Sequence, residues 1–467
     1  MVDDELRASA LRLLAEAPCV VTLPAGCGKT HLVAASARAA SDLGKGVLIL
    51  THTHAGVDEI RRRARGFGVL SNAAKITTID SWAHRLVTSF PCSSAYTSAE
   101  EIVWSDVHGA MARLITNPHI QVMVRESYDY VVVDEYQDCS LSQHAFVMAV
   151  ADQVPTIILG DPLQAIYGFG GSLVNWETDL SRFRVLQMPA IPWRWRGHNE
   201  ALGEYLMLVR SKIEAGETSF DISIGPVTWA SDTPEQRRLV CWSKVGAPGN
   251  VVVLVQFEQQ CEALARSLGG KVGVMEDIEG KLLLNLARIV DELDGLQTAA
   301  AIVDFAFKSH AKLPSNLKAK GKAMKAGKFP TFRPSSPIGP ALIALKTVES
   351  SPSPETVGAA FGAIDSLGGT LFRKEGWNDI LRGIRVWREG AATLGEAVRT
   401  VRNRCRIVGR QQTRRGVSRP VLIKGQQFDE CVIVGADALD SKELYVAMTR
   451  PRTNLTVLSE NPVLNPS

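Results

Sequence analysis

No stretch of this 467-residue sequence approaches the ~18–20 consecutive apolar residues that cross a bilayer. The longest candidate, around Ala299–Phe307, is broken by Asp304, so no membrane is expected among its partners. The first residues include Asp3, Asp4 and Glu5 and lack a basic segment followed by an apolar run, which argues against export and for a cytoplasmic protein. Cysteine is sparse: eight residues (19, 27, 92, 139, 241, 261, 405, 431) contain no CxxC pair, which excludes a disulfide framework and a cysteine zinc module. The nine histidines show no metal-ligand spacing. Repeats at solenoid periods are also missing. With 45% hydrophobic and 22% charged residues, what remains is an ordinary globular chain. At roughly 100–200 residues per domain it has room for about two to four domains.

Acidic residues are absent from two windows. Between Asp304 and Glu349 stand nine basic residues: Lys308, Lys312, Lys318, Lys320, Lys322, Lys325, Lys328, Arg333 and Lys346. Between Glu396 and Asp429 stand nine more: Arg399, Arg402, Arg404, Arg406, Arg410, Arg414, Arg415, Arg419 and Lys424. Setting these 18 aside leaves 34 basic against 49 acidic residues, so the net charge of +3 conceals a body at −15. Segregation of that kind suits a polyanion partner, because clustered Lys and Arg release counterions from phosphates.

Short apolar runs at Cys19–Leu23, Gly46–Thr51, Tyr130–Asp134 and Thr156–Gly160 read as strands of a parallel sheet covered on both faces. This first α/β block runs to about residue 190 and holds a short helical insertion at about 88–127. A second α/β block takes residues 191–277 and 416–467, with strands at Val251–Val255, Pro420–Ile423, Cys431–Gly435 and Asn454–Leu458. Residues 278–415 turn helical and basic: Leu282, Leu286, Ile289, Val290 and Leu293 recur at helical spacing, as do Trp377, Ile380, Leu381, Ile384 and Trp387. Within them, Lys312–Pro340 lacks periodicity and reads as a loop.

Two motifs carry chemistry. In Leu23-Pro24-Ala25-Gly26-Cys27-Gly28-Lys29-Thr30, a strand turns into a helix through small residues. Gly26 and Gly28 let backbone N–H groups close on phosphate oxygens, Lys29 reaches the β/γ-phosphates, and the Thr30 hydroxyl suits Mg²⁺. In Val131-Val132-Val133-Asp134-Glu135-Tyr136-Gln137-Asp138, a strand ends in two carboxylates. Asp134 at the strand tip is placed to hold Mg²⁺, and Glu135 to take a proton from an attacking water.

The second motif resembles the DExQD box of the superfamily 1 helicases of the UvrD/Rep/PcrA type, and six other segments follow in that family's order. Thr51-His52-Thr53-His54-Ala55 resembles "TFTNKAA", and Thr78-Ile79-Asp80-Ser81-Trp82-Ala83 resembles "TFHSFA". Gly160-Asp161-Pro162-Leu163-Gln164-Ala165-Ile166-Tyr167-Gly168-Phe169 resembles "GDxxQSIYxF". Trp193-Arg194-Trp195-Arg196, Lys424-Gly425-Gln426-Gln427-Phe428-Asp429 and Leu444-Tyr445-Val446-Ala447-Met448-Thr449-Arg450 resemble the "NYRS", "KGLEFD" and "LYVALTR" boxes. The resemblance implies an α/β fold of two RecA-like P-loop domains with parallel sheets and helical insertions.

It also implies an ATP-dependent helicase or translocase on single-stranded or tailed duplex DNA, moving 3′→5′, with ATP and Mg²⁺ as cofactors. By the same resemblance Lys29, Asp134, Glu135, Gln164, Arg196 and Arg450 are catalytic, the two arginines acting as fingers from the second block. Pro24 through His31, Trp195 and Gln427 would bind nucleotide, Trp195 by stacking on the base. Thr51, His52, Thr53, His54, Ser81, Trp82, Tyr167, Phe169 and Trp193 would meet DNA. The sequence departs from the family: no Gln precedes the phosphate loop, Gly170 replaces an Arg, and Gln426-Gln427 replaces Leu-Glu. Its insertions are short. These departures favour an alternative, a DNA-stimulated ATPase that serves a nuclease, repair or anti-phage defence partner as its regulatory component. RNA as the track stays open, and a nuclease fragment, Asp277 with Glu279-Gly280-Lys281, lacks an upstream carboxylate-bearing strand.

Overall fold

The computed structural model describes residues 4–70, 72–97, 102–166, 172–275, 280–292, 294–408 (403–408 as backbone) and 414–466. Tyr167, Phe169 and the Asp277/Glu279 fragment fall outside the described residues. The chain forms two compact units, Met1–Thr218 with Asp440–Thr453, and Ser219–Leu439 with Asn454–Pro466. The sequence reading gives residues 191–277 and 416–467 to the second block; here 191–218 and 440–453, the first residues of β15 among them, fall in the first unit. No helix among the described residues is long and apolar enough to cross a membrane.

The first unit is built on six strands: β1 (Cys19–Thr22), β2 (Val47–Thr51), β3 (Ala74–Thr78), β4 (Tyr130–Val133), β5 (Thr156–Gly160) and β6 (Arg184–Val185). Their order is β3-β2-β4-β5-β1-β6, and every pairing is parallel. The runs are continuously apolar because both faces are covered. Val20, Leu48, Leu50, Val131, Val133 and Ile158 face one cluster, filled by Trp82, Met111 and Phe146 from the helices Ile79–Ser89, Trp104–Leu114 and Leu141–Ala151. The alternate residues Cys19, Val21, Ile49, Val132, Ile157 and Leu159 face the other, against the helices Asp4–Ala15, Lys29–Asp42 and His54–Gly66. Burying each Val, Leu or Ile contributes roughly 1.5–3 kcal/mol.

The second unit contains β7 (Phe220–Asp221), β8 (Thr228–Ser231), β9 (Val251–Leu254), β10 (Gly273–Val274), β11 (His310–Ala311), β12 (Thr370–Leu371), β13 (Arg415–Ser418), β14 (Phe428–Val434), β15 (Pro451–Ser459) and β16 (Val463–Leu464). Its six-stranded sheet runs β10-β13-β9-β14-β15-β8, with parallel registers for β10–β13, β13–β9, β9–β14 and β15–β8. Among the described residues, seven helices between Lys281 and Val408 pack Phe305, Phe361 and Trp377 into a separate core.

Two expectations for this unit are corrected. Pro420–Ile423 is a 3₁₀ turn and the strand is Arg415–Ser418, since a proline cannot donate to a central ladder. Ser315–Lys325, expected as loop, is a helix that buries Leu317, Gly321 and Met324 at i, i+4 and i+7. Gly321 allows close packing: a Cβ would stand 2.6 Å from Val303 Cγ1.

Candidate functional site

Three adjacent strands of the first sheet, β4-β5-β1, bring the chemistry together at their carboxyl ends, where ligands of open α/β sheets bind. The end of β1 leads into the phosphate loop, β5 ends at Asp161, and β4 ends at Asp134. The loop turns through Gly26 (φ 77°) and Gly28 (φ 82°), a left-handed backbone that costs other residues roughly 1–2 kcal/mol. Helix Lys29–Asp42 starts there, so its first N–H groups border the loop.

Lys29 is buried and its Nζ donates to Glu135 Oε2 at 3.1 Å. Burial opposes its charge, but Glu135, Asp134 and Asp161 outweigh it and hold its pKa above the ordinary value. The Asp134 carboxyl is pushed up to about 7, first by burial and then by the charge of Glu135. Its Oδ1 accepts from the Glu135 N–H at 2.9 Å. A divalent cation would relieve that buried acid. Asp134 and the Thr30 hydroxyl offer oxygen donors, the chemistry Mg²⁺ takes, and are the residues that would hold it.

Beneath the loop lies a polar network that sequence reasoning missed. Asp161 accepts from Ala25 N (3.1 Å), Gln164 Nε2 (2.8 Å) and Arg210 Nη1 (2.7 Å). Tyr445 Oη accepts from the same Ala25 N (3.3 Å) and from Arg210 (3.0 Å). Gln137 bridges the two carboxylate strands, donating to Glu135 Oε2 at 2.6 Å and accepting from Asp161 N at 2.9 Å. Asp161 and Tyr445 lay inside quoted boxes, whereas Arg210 sits on a helix, Glu200–Glu214, that no box marks.

Arg450 Nη2 donates to Gln164 Oε1 at 3.2 Å, so two expected residues meet. Arg196 does not join them: it is exposed, its guanidinium 4.7 Å over the Trp193 ring. Arg194 turns inward instead. Its backbone N–H donates to Gly26 O at 3.0 Å, its guanidinium donates to Thr449 O, and its buried Nε has no partner among the described residues. Burial, then the charge of Arg450, lowers its pKa to about 9. The Trp-Arg pair occurs twice in residues 193–196, and nothing in the sequence tells which arginine turns inward.

Trp195, expected to stack on a nucleotide base, is 1% exposed; it packs under Gly26, and its Nε1 donates to Pro451 O at 2.8 Å. Trp193, expected at DNA, is 38% exposed and lies against Gly28. Pro24, Ala25 and Cys27 are buried in the loop, while His31 is exposed beside Arg63. Gln427 is exposed ahead of β14 in the second unit.

Of the segments expected at DNA, Thr53 and Thr78 cap helices through Gly56 N and Ser81 N, each at 3.0 Å. Thr53 is exposed and His52, His54 and Ser81 half-buried. Thr51 and Trp82 are corrected to interior positions, Trp82 at 4% exposure filling the apolar cluster under β2 and β4.

Residues 7–170 match the protein family described as AAA domain. A 67-residue segment, 14% of the chain, is 39% identical to the exonuclease/helicase subunit RexA of Lactococcus lactis and covers 6% of that protein. Another of 99 residues, 21% of the chain, is 31% identical to DNA helicase II of Salmonella typhimurium and covers 14% of it. The matches thus span a small part of these relatives' length. Among solved structures, a Pif1 helicase from Candida albicans is similar over 53% of this chain and 55% of that one, at 12% identity and a TM-score of 0.30, too remote to carry an argument. The likeness to UvrD/Rep-type superfamily 1 helicases, first carried by motifs, thus also stands on homologous segments.

Proposed function

We propose that the chain is an ATP-dependent DNA helicase or translocase that moves 3′→5′ on single-stranded DNA. One observation carries the reading: a phosphate loop, a Lys29–Glu135 ion pair and an Arg450–Gln164 contact gather around adjacent strand tips. Lys29 would exchange Glu135 for the β/γ-phosphates, freeing the carboxylate. Glu135 then accepts a proton as water attacks the γ-phosphorus and the bond to the β–γ bridging oxygen breaks. Thr30 and Asp134 would hold Mg²⁺, which supplies charge neutralisation at the phosphates. Arg450, buried, and Arg194, half-buried, are cations that repel each other, so both would gain when negative charge builds beside them. Gln164 touches Arg450 and Asp161, so it is the group to report the γ-phosphate to the rest of the unit.

Turnover of ATP with and without single-stranded DNA tests this, in wild type, Lys29→Ala and Glu135→Gln. DNA-stimulated hydrolysis lost in both variants supports the reading; hydrolysis indifferent to DNA refutes it. A second reading, the ATPase component of a nuclease assembly, draws on the relative whose name joins exonuclease and helicase. Displacement of a strand from a tailed duplex separates the two, since only the helicase achieves it unaided.

A further inference from the structure

Asp80 collects a second set of polar side chains in the first unit. It stands in the first turn of the helix Ile79–Ser89, directly after β3. Its Oδ1 accepts from His108 Nε2 at 2.8 Å and from Gln143 Nε2 at 2.7 Å. Burial opposes its charge, but these two donors outweigh it and hold the carboxyl below the ordinary range. The box that this segment resembles, "TFHSFA", has a histidine at that place. Here the imidazole comes instead from the helix Trp104–Leu114 of the short insertion.

His108 is buried, and its ring packs against Trp104 and Phe146, with centroids 6.4 and 5.7 Å away. A carboxylate can only accept, so Nε2 carries the proton given to Asp80. Nδ1 meets Ser142 Oγ at 2.9 Å. Gln143, next in sequence, uses both ends of its amide. Nε2 is on Asp80, and Oε1 accepts from Ser140 N at 3.0 Å, closing the capping box of the helix Leu141–Ala151. Ser140 stands just beyond the Tyr136–Asp138 turn that follows Glu135, and Cys139 beside it meets His52 Nε2 at 3.5 Å. Two straps on one carboxylate thus join the start of the helix Ile79–Ser89 to the turn that trails Glu135.

We infer that His108 is a positioning residue, which couples strand binding at His52, His54 and Ser81 to the hydrolytic geometry at Glu135. The inference rests on the function proposed above, which puts those three residues at DNA. Ser81 follows Asp80 in the same helical turn and is pinned by Thr78, whose Oγ1 donates to Ser81 Oγ at 2.7 Å, so a load on Ser81 moves the Asp80 carboxylate with it. With both donors in place, that movement passes to Ser140–Gln143 as a unit. Without His108, Gln143 alone holds Asp80, and the displacement is absorbed before it reaches Glu135. Hydrogen-bond networks whose members shift together carry coupling between sites in this way.

The test is turnover of the full chain at saturating ATP, with and without oligo-dT. Two variants separate the ring nitrogens. The amide of His108→Gln reaches the Nε2 position and can still donate to Asp80, whereas that of His108→Asn stops near Nδ1 and loses it. Both lose the ring's packing on Trp104 and Phe146, so a merely structural residue would fail alike in the two. His108→Asn is expected to cut the ratio of DNA-stimulated to DNA-free turnover about 2–30-fold, the span for one residue of a coupling network. DNA-free turnover and the oligo-dT concentration for half-stimulation should stay near wild type. His108→Gln should keep most of the stimulation. Asp80→Ala removes the acceptor from both straps at a half-buried position; it should lose stimulation too, and it decides the matter where His108→Asn does not fold. Stimulation kept in His108→Asn or Asp80→Ala overturns the proposal, as does an equal loss in the Gln and Asn variants. Wild-type turnover indifferent to oligo-dT sinks the helicase reading and this proposal together, and shows before any variant is made.

Discussion

Arg450 reaches Gln164 across 3.2 Å, joining the helix Ser441–Met448 end of the first unit to the turn that follows β5. Neither side chain is exposed, so the contact is an internal part of the candidate site. Arg450→Ala should lower ATP turnover by about 10³-fold or more, the range for a lost arginine finger. Lys at 450 should not restore it, because an ammonium lacks the planar fork. Steady-state turnover at saturating ATP measures both, and a variant within tenfold of wild type would remove Arg450 from the chemistry.

Glu135 holds the Lys29 ammonium, so its carboxylate would compete for that cation with the phosphate proposed to bind there. Glu135→Gln should therefore separate binding from hydrolysis. Turnover is expected to fall about 10²–10⁴-fold, as when a general base is removed. Nucleotide affinity should stay level or rise. Equilibrium binding of a fluorescent ADP analogue reads the second part, and weaker binding would contradict the competition.

The acid at β4 sets a pH dependence. Folded, Asp134 keeps its proton to about pH 7, while an unfolded Asp gives it up near 4. Between those values the folded chain binds more protons, so stability falls as pH rises through the window. Asp134→Asn removes that titration. Melting in the presence of a chelator should show the Asn variant more stable than wild type at about pH 8, with the difference shrinking towards about pH 5. Equal melting shifts at both values would show that Asp134 is not the titrating group.

Arg210 and Asp161 form a buried pair that also steadies Ala25 and Tyr445. Removing one partner leaves an uncompensated charge inside, so Arg210→Leu should cost about 3–5 kcal/mol. Denaturant unfolding measures it, and a loss below about 1 kcal/mol would mean that the pair is solvated in solution.

How much of this was legible beforehand depends on whether a signal is local. The strands of the first sheet, the phosphate loop and Asp134-Glu135 were readable because continuous apolar runs, Gly26 and Gly28 declare themselves within a few residues. Arg210 was not, since its partner Asp161 lies 49 positions away and a helix arginine looks solvated in sequence. The inward turn of Arg194 was invisible for a similar reason: only burial tells it from Arg196. Trp195 and Trp82 have rings that suit stacking and packing alike, and tertiary context alone decided for packing. The helix Ser315–Lys325 was hidden because Lys and Gly dominate it, leaving only Leu317 and Met324 to mark its buried side.

Glu135 has a φ of 57°, in the left-handed region that an L side chain enters at a cost of roughly 1–2 kcal/mol. Glycine or asparagine would suit that backbone better. Selection for thermal stability alone should therefore drift towards replacing the carboxylate that pairs with Lys29. Stabilised variants from such a screen, and consensus designs that favour relaxed backbones, would inherit a sturdier fold without the carboxylate proposed as its base. At this position durability and turnover pull in opposite directions.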